Sequence, residues 1–280
     1  MKKRVFDIGM NNGDDTAYYL HRGYDVLAVE ANPHLVERVQ VRFQQEIKQG
    51  RLVILNVGIA EEEGIIPFWI CDTISEWSSF HRNIASRDNS PHHQVPVACR
   101  RFDSIIEEFG VPYYLKVDIE GNDKLCMDGL RRESLPEYVS VEAADLTQVD
   151  LLAGLGYRRF KCISQFHYLP LELPPTPEQQ KYEKTQRWLQ SRNPAVRVLR
   201  RIGGQKLIEK LTTRSRREGD WYFPFGSSGP FGEGLLGRWQ NHQEMRATFE
   251  TFQKMMRSGL KSPFWADKDY SFWADFHATK

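Results

Sequence analysis

Short apolar runs alternate with segments of helical period along the first 165 residues. Residues 4–8 form the first run, a Gly/Asn turn follows, and residues 16–22 read as helix. Residues 24–30 (YDVLAVE) are a second strand, and Asn32-Pro33 caps and opens a helix over 34–48. Residues 52–57 are a third strand. Residues 113–118 (YYLKVD) are a fourth, with a helix around 125–131 after it. Residues 138–142 are a fifth, 149–155 a short helix, and 157–163 a sixth strand. Strand–helix alternation with Val/Ile/Leu-rich strands predicts an α/β fold built on a doubly wound, mostly parallel sheet. In such sheets ligands sit beyond the carboxyl ends of the strands.

Residues 73–96 break the pattern with a polar stretch holding three histidines and two prolines, read either as a surface loop or as a loop covering a ligand. Past Pro170 the chain changes character. Pro174, Pro175 and Pro177 mark a linker or helix start, and residues 178–213 read as helices broken near Asn193-Pro194 and Gly203-Gly204. The tail is rich in Trp and Phe and repeats Phe-Trp-Ala-Asp at Phe264 and Phe272, too little for a repeat architecture. The expected division is a domain over residues 1–170 and a helical, aromatic-rich extension over 171–280.

Charge sharpens that division. The 280 residues carry a net +1 with 27% charged and 40% hydrophobic residues, the profile of a globular protein. Residues 1–170 hold 19 Lys and Arg against 25 Asp and Glu, whereas 171–280 hold 19 against 12. Cys71, Cys99, Cys126 and Cys162 form no CxxC pair, which suits a reducing compartment better than disulfides or zinc. No apolar stretch approaches the roughly 20 residues that span a bilayer, and the first residues run straight into a strand. A cytoplasmic location is expected.

The first chemical signal is Asp7-Ile8-Gly9-Met10-Asn11-Asn12-Gly13, directly after the first strand. Glycine lets the backbone turn tightly and approach a ligand closely. The spacing is not the G-x-G-x-x-G of dinucleotide sites, which argues against a nicotinamide-dependent dehydrogenase. An acidic residue at the strand end suits an ammonium-bearing ligand better than phosphates. Glu30, ending the second strand, is placed to accept hydrogen bonds from both hydroxyls of a ribose. A plain glycine turn and an exposed strand-end charge are the alternatives; the two features in this order favour a nucleoside ligand.

Several blocks in order carry a resemblance to a known family. They are VFDIGMNNGDDT (5–16), VLAVEANP (26–33), LNVGIAEEEG (55–64), SSF (78–80), YYLKVDIEGND (113–123), VSVEAAD (139–145) and LGYRRF (155–160). Together they resemble the FkbM-type S-adenosylmethionine-dependent methyltransferases over about residues 4–165, with K-x-D-x-E-G the most specific block. SSGPFG (227–232) is similar to the end of some longer members, and Met10 stands where a smaller residue is commoner. The resemblance implies a Rossmann-like class I methyltransferase fold. It implies that Asp7, Gly9, Asn11, Gly13 and Thr16 belong to the motif that holds the methionine part of the cofactor. Glu30 would bind its ribose, Asn56 and Val57 would lie near the adenine, and Ser79 would close over it.

Transfer from an activated sulfonium needs in-line positioning and, for a hydroxyl acceptor, a base. Asp118 ends the fourth strand, Glu120 follows two residues on, and Glu142 ends the fifth. Carboxylates gathered there raise one another's pKa or bind a divalent cation. Asp118 is therefore assigned as the base or, with Glu142, as a metal ligand, supported by Glu120 and Glu142. The competing reading has Glu120 capping the next helix through Gly121-Asn122. Lys116, on the Asp118 side of its strand, reads as structural. Among the histidines, His81 beside the Ser-Ser pair is the preferred alternative base, ahead of His92, His93 and His167.

The basic segment 181–218 has 12 Lys and Arg against 3 acids. It reads as a solvated helical face, with nucleic acid, anionic lipid or a phosphorylated carrier as the alternative. Trp221, Trp239, Trp265 and Trp273 read as packing anchors, with stacking on sugar rings as the alternative. The sequence thus points to methylation of a hydroxyl on a sugar, glycan or small natural product. A nucleic-acid methyltransferase and a catalytically silent binding module of the same fold are the competitors.

Overall fold

The computed structural model describes residues 3–280 except 166–167, 178–179, 182–183, 186–187, 189–192, 203, 205–216, 225 and 258–272. His167, Phe264, Trp265, Phe272 and much of the basic segment therefore lie outside the described residues. The central sheet has seven strands. Five follow the sequence closely: β1 (Arg4–Ile8), β2 (Asp25–Val29), β3 (Leu52–Leu55), β7 (Tyr114–Val117) and β8 (Tyr138–Glu142). All neighbouring pairs among these five are parallel, in the order β3-β2-β1-β7-β8. Between them run α1 (Asp14–His21), α2 (Pro33–Arg42), α3 (Gln44–Lys48), α5 (Phe102–Phe109) and α6 (Asp123–Asp128). The arrangement is Rossmann-like.

By compactness the chain forms two units. The first comprises Met1–Glu142, Leu151–Tyr157 and Thr279–Lys280, and the second Ala143–Asp150 and Arg158–Ala278. In the first, β1 and β7 are buried at nearly every position, which is why they read as continuous apolar runs rather than alternating ones. Asn32 caps α2 by accepting the His34 N–H at 3.0 Å, with Pro33 at the first helical position. The single helix expected over 34–48 is two helices. Phe43 leaves helical geometry at φ −115° and buries its ring beside Gly13.

The polar stretch 73–96 is not wholly loop. It contains α4 (Arg82–Ala85) and then enters β6 (His92–Arg100), which pairs antiparallel with β5 (Gly64–Cys71) and parallel with β4 (Gly58–Ile59). Pro67 and Pro96 face each other across that ladder. Neither has an N–H, so they share a position where none is required, and Pro96 with the neighbouring histidines gave the start of β6 the composition of a loop.

The second unit contributes β9 (Arg159–Ser164) and the hairpin of β10 (Arg217–Glu218) and β11 (Trp221–Tyr222). The helices α8 (Pro194–Arg201) and α9 (His242–Arg257) also lie in it, and α7 (Leu146–Leu155) is divided between the units. The tail expected to be extension supplies β12 (Ala274–Thr279), six buried residues placed between β8 and β9 in the strand order. The strand order of the sheet thus includes residues distant in sequence from their neighbours. No helix among the described residues is long and apolar enough to cross a membrane.

Candidate functional site

The cofactor and carboxylate residues expected from the sequence lie in the first unit, most of them at the carboxyl ends of β1, β2, β3, β7 and β8, with Ser79 and His81 between β5 and β6. The chain turns at Gly9 because its N–H and that of Met10 both donate to the Val29 carbonyl, at 2.9 and 3.0 Å. Gly9 has φ +85°, and a Cβ there would stand 1.7 Å from the Asp118 carbonyl oxygen. Asn11 has φ +49°, a conformation asparagine tolerates. Gly13, at φ +81°, starts α1 against the Phe43 ring.

Glu30 is buried, and each carboxylate oxygen accepts one backbone N–H at 2.8 Å, from Asn11 and from Asn32. One side chain therefore fixes both the glycine turn and the start of α2, and each oxygen keeps a lone pair for a ligand hydroxyl. Burial raises the Glu30 pKa, opposed by those two hydrogen bonds. Asn56 donates its amide to the Glu30 and Ala31 carbonyls at 2.9 and 3.2 Å, tying the chain after β3 to the end of β2, with Val57 next to it.

Asp7 and Thr16 lie deeper. Both are completely enclosed, and the Thr16 hydroxyl donates to Asp7 Oδ2 at 2.6 Å. Asp7 Oδ1 sits 3.2 Å from Lys116 Nζ. These two residues shape the turn from beneath rather than present a surface to a ligand.

The acidic side of the site is the turn after β7. Glu120 has φ +50° and precedes Gly121 at φ +109°, a strained carboxylate of the sort that clusters at functional sites. Asp123 holds the turn by accepting the Ile119 N–H at 3.1 Å and the Gly121 N–H at 3.2 Å. Ser79 is buried and fully committed: its hydroxyl donates to the Glu120 carbonyl at 2.7 Å and accepts the His81 N–H at 3.0 Å. Ser79 therefore clasps the acidic turn. Contact with the glycine turn falls instead to Ser75, whose hydroxyl donates to Asn11 Oδ1 at 3.1 Å. His81 lies against Gly121 with Nε2 3.1 Å from Asn122 Oδ1, whereas His92 and His93 pair with Ser90 and Asp72 in and beside β6.

Asp118, Glu120 and Glu142 are electrostatically coupled. Burial, then the charges of Asp118 and Glu142, push Glu120 up to about 8, while Arg87 at 3.1 Å opposes them. Burial, then Asp118 and Asp123, push Glu142 up to about 7. Asp118 is raised by desolvation, relieved by Lys116 and reinforced by Asp123, Asp7 and Glu76. Its desolvation is incomplete, since 48% of its side chain remains exposed. Among the described residues no group of three or more His, Cys, Asp or Glu side chains is arranged to hold a metal ion. The positive charge next to Asp118 is the Lys116 ammonium, 3.8 Å away.

Sequence reasoning missed Ser75, Arg87 and Asp123 as parts of the site, and took Lys116 as structural. Ser75 and Arg87 sit in a polar stretch with no periodic signal. Asp123 and Lys116 stand in the same block as Asp118 and Glu120, with no spacing signal of their own.

A mostly parallel sheet with a glycine turn after its first strand and a buried carboxylate after its second defines a Rossmann-like α/β protein. The profile described as Methyltransferase FkbM domain matches residues 7–158, and the chain belongs to that family. No curated protein matches the chain. Among solved structures it is similar to precorrin-6y C5,15-methyltransferase from Geobacter metallireducens. The identity is 13% and the TM-score 0.34, over 58% of this chain and 66% of that one, a likeness too slight to carry an argument.

Proposed function

We propose that the protein is an S-adenosylmethionine-dependent methyltransferase acting on a hydroxyl of a sugar, glycan or small natural product. The observation that carries this reading is the juxtaposition of Gly9 with the Asp118 turn. A nucleoside cradle and a cluster of carboxylates share one backbone contact too close for any side chain. Family membership supports the cofactor.

The residues present fit that cofactor. Glu30 offers two anchored carboxylate oxygens to ribose hydroxyls, the Gly9 and Gly13 turn leaves room for close approach, and Asn56 and Val57 border the same strand ends. When bound, S-adenosylmethionine supplies a methyl group already activated on a sulfonium. The chain's own task is orientation and proton removal. Asp118, half-exposed at the end of β7, accepts the acceptor hydroxyl's proton. Glu120 and Glu142, whose pKa values lie near neutrality, orient the acceptor oxygen by hydrogen bonding.

Calorimetry with S-adenosylmethionine tests the cofactor reading, and no heat at millimolar ligand defeats it. Incubation with labelled S-adenosylmethionine and fractionated host extract tests the acceptor class. Label in glycan or small molecules is expected; label confined to nucleic acid overturns that class. Asp118→Asn is expected to lower transfer about 100-fold or more, the range of a lost general base. Near-normal turnover removes Asp118 from the role.

A further inference from the structure

Lys116 is the most enclosed cation near the site, with 3% of its side chain exposed. Strand alternation sends it to the same side of β7 as Asp118, and its ammonium reaches four groups. It donates to the Gly9 carbonyl at 2.6 Å and stands 3.2 Å from Asp7, 3.8 Å from Asp118 and 3.9 Å from Asp15. Two of these belong to opposite sides of the site. Gly9 is the pivot of the cofactor turn, and Asp118 is the carboxylate beside the acceptor. Asp7 and Asp15, on β1 and α1, hold the ammonium from below, and the Thr16 hydroxyl in turn holds Asp7.

A buried ammonium is costly unless paired, and unpairing one leaves buried charge behind. Three carboxylates and a carbonyl around one Nζ satisfy it here, and they do so only while the ends of β1 and β7 keep their register, Ile8 opposite Val117. At 3% exposure Lys116 has almost no surface to offer a ligand, so whatever it does is done through its partners.

We propose that Lys116 is a positioning residue. One ammonium sets the Gly9 carbonyl of the cofactor turn and the Asp118 carboxylate of the acceptor side in fixed relation. The assignment rests on the methyltransferase reading of the same site. It gives the Lys of the K-x-D-x-E-G block work distinct from that of the Asp: Asp118 meets the acceptor, whereas Lys116 aims Asp118 and braces the turn.

The test uses the full chain, with S-adenosylmethionine as the calorimetric probe and transfer of its labelled methyl group to the accepting extract fraction as the rate. Thermal melting reports folding throughout. Lys116→Met is expected to raise the Kd for S-adenosylmethionine at least tenfold, whereas Asp118→Asn changes it less than threefold. A merely structural lysine would lower the melting temperature and leave the Kd of the folded protein unchanged. A folded Lys116→Met with a Kd within twofold of wild type therefore overturns the proposal. If that variant does not fold, Lys116→Arg decides. It keeps the charge but spreads it over a planar fork that does not reproduce a point contact. Transfer is expected to fall at least tenfold with Kd within threefold, and wild-type transfer by a folded Lys116→Arg overturns the proposal. Wild-type protein that binds no S-adenosylmethionine overturns the methyltransferase reading, and this assignment with it. Wild type that binds and transfers while its variants are unaffected removes Lys116 alone.

Discussion

At Gly9 two separate requirements fall on one residue. Its φ of +85° excludes most side chains, and even a methyl group would meet the Asp118 carbonyl oxygen at 1.7 Å. Gly9→Ala therefore has to part β1 from β7 or twist the turn. We expect a stability loss of about 2 kcal/mol or more, combining backbone strain with the displaced contact. Cofactor affinity should fall with it, because the same turn positions Asn11 and, through it, Glu30. Denaturant unfolding and calorimetry check the two effects, and an alanine variant with wild-type Kd contradicts the close approach. Residues such as Gly9, Glu30 and Asp118 were legible in the sequence because each has a positional signature: a glycine after a strand, or a carboxylate at its end. Lys116 was not legible in the same way. A lysine on a strand reads equally as an exposed charge or a buried hub, and only the convergence of β1, α1 and β7 on its ammonium decides between them.

Among the elements, those with one hydrophobic period were legible and those made by long-range pairing were not. The parallel strands read as apolar runs; the start of β6 did not, because Pro96 and the adjacent histidines imitate loop composition. β12 was invisible for another reason. Its neighbours in the sheet are over a hundred residues away in sequence, and nothing in residues 274–279 names them. The segment between β5 and β6 matters to the site through Ser79, which cross-pairs with Trp69 of β5 and clasps Glu120. Ser79→Ala strands the Glu120 carbonyl and the His81 N–H, a loss of about 1–3 kcal/mol for buried groups left unsatisfied. The left-handed Glu120 backbone would then be free to relax. Methyl transfer is expected to drop at least fivefold with little change in cofactor Kd, since the clasp is on the carboxylate side. A variant that loses cofactor affinity and keeps its transfer rate would place Ser79 over the cofactor instead. A chain ending at Trp273 tests β12: it should lose cooperative unfolding, because all six residues of that strand are buried.

For the whole molecule, the near-neutral net charge conceals an acidic surplus over residues 1–170, and part of that surplus is gathered at the carboxylate turn. The consequence is a stability that depends on pH in a defined direction. Glu120 and Glu142 are held near 8 and 7 in the folded protein, against roughly 4.3 for an unperturbed Glu. Between those limits the folded state binds more protons than the unfolded state, so stability falls as pH rises from about 4.5 to 8. Below that window both states are protonated and the effect vanishes. Glu142→Gln keeps the shape and removes the charge at every pH. It should stabilise the fold at pH 8 by roughly 3 kcal/mol, the size of a shift of two to three pKa units, and by nothing measurable at pH 4. Arg87→Met should act with the opposite sign at pH 8, because Arg87 is the cation that opposes the crowding of Glu120. Paired denaturation midpoints at pH 4 and pH 8 read both variants. Equal midpoints for wild type and Glu142→Gln at pH 8 would mean that the carboxylates do not share the crowded site described above.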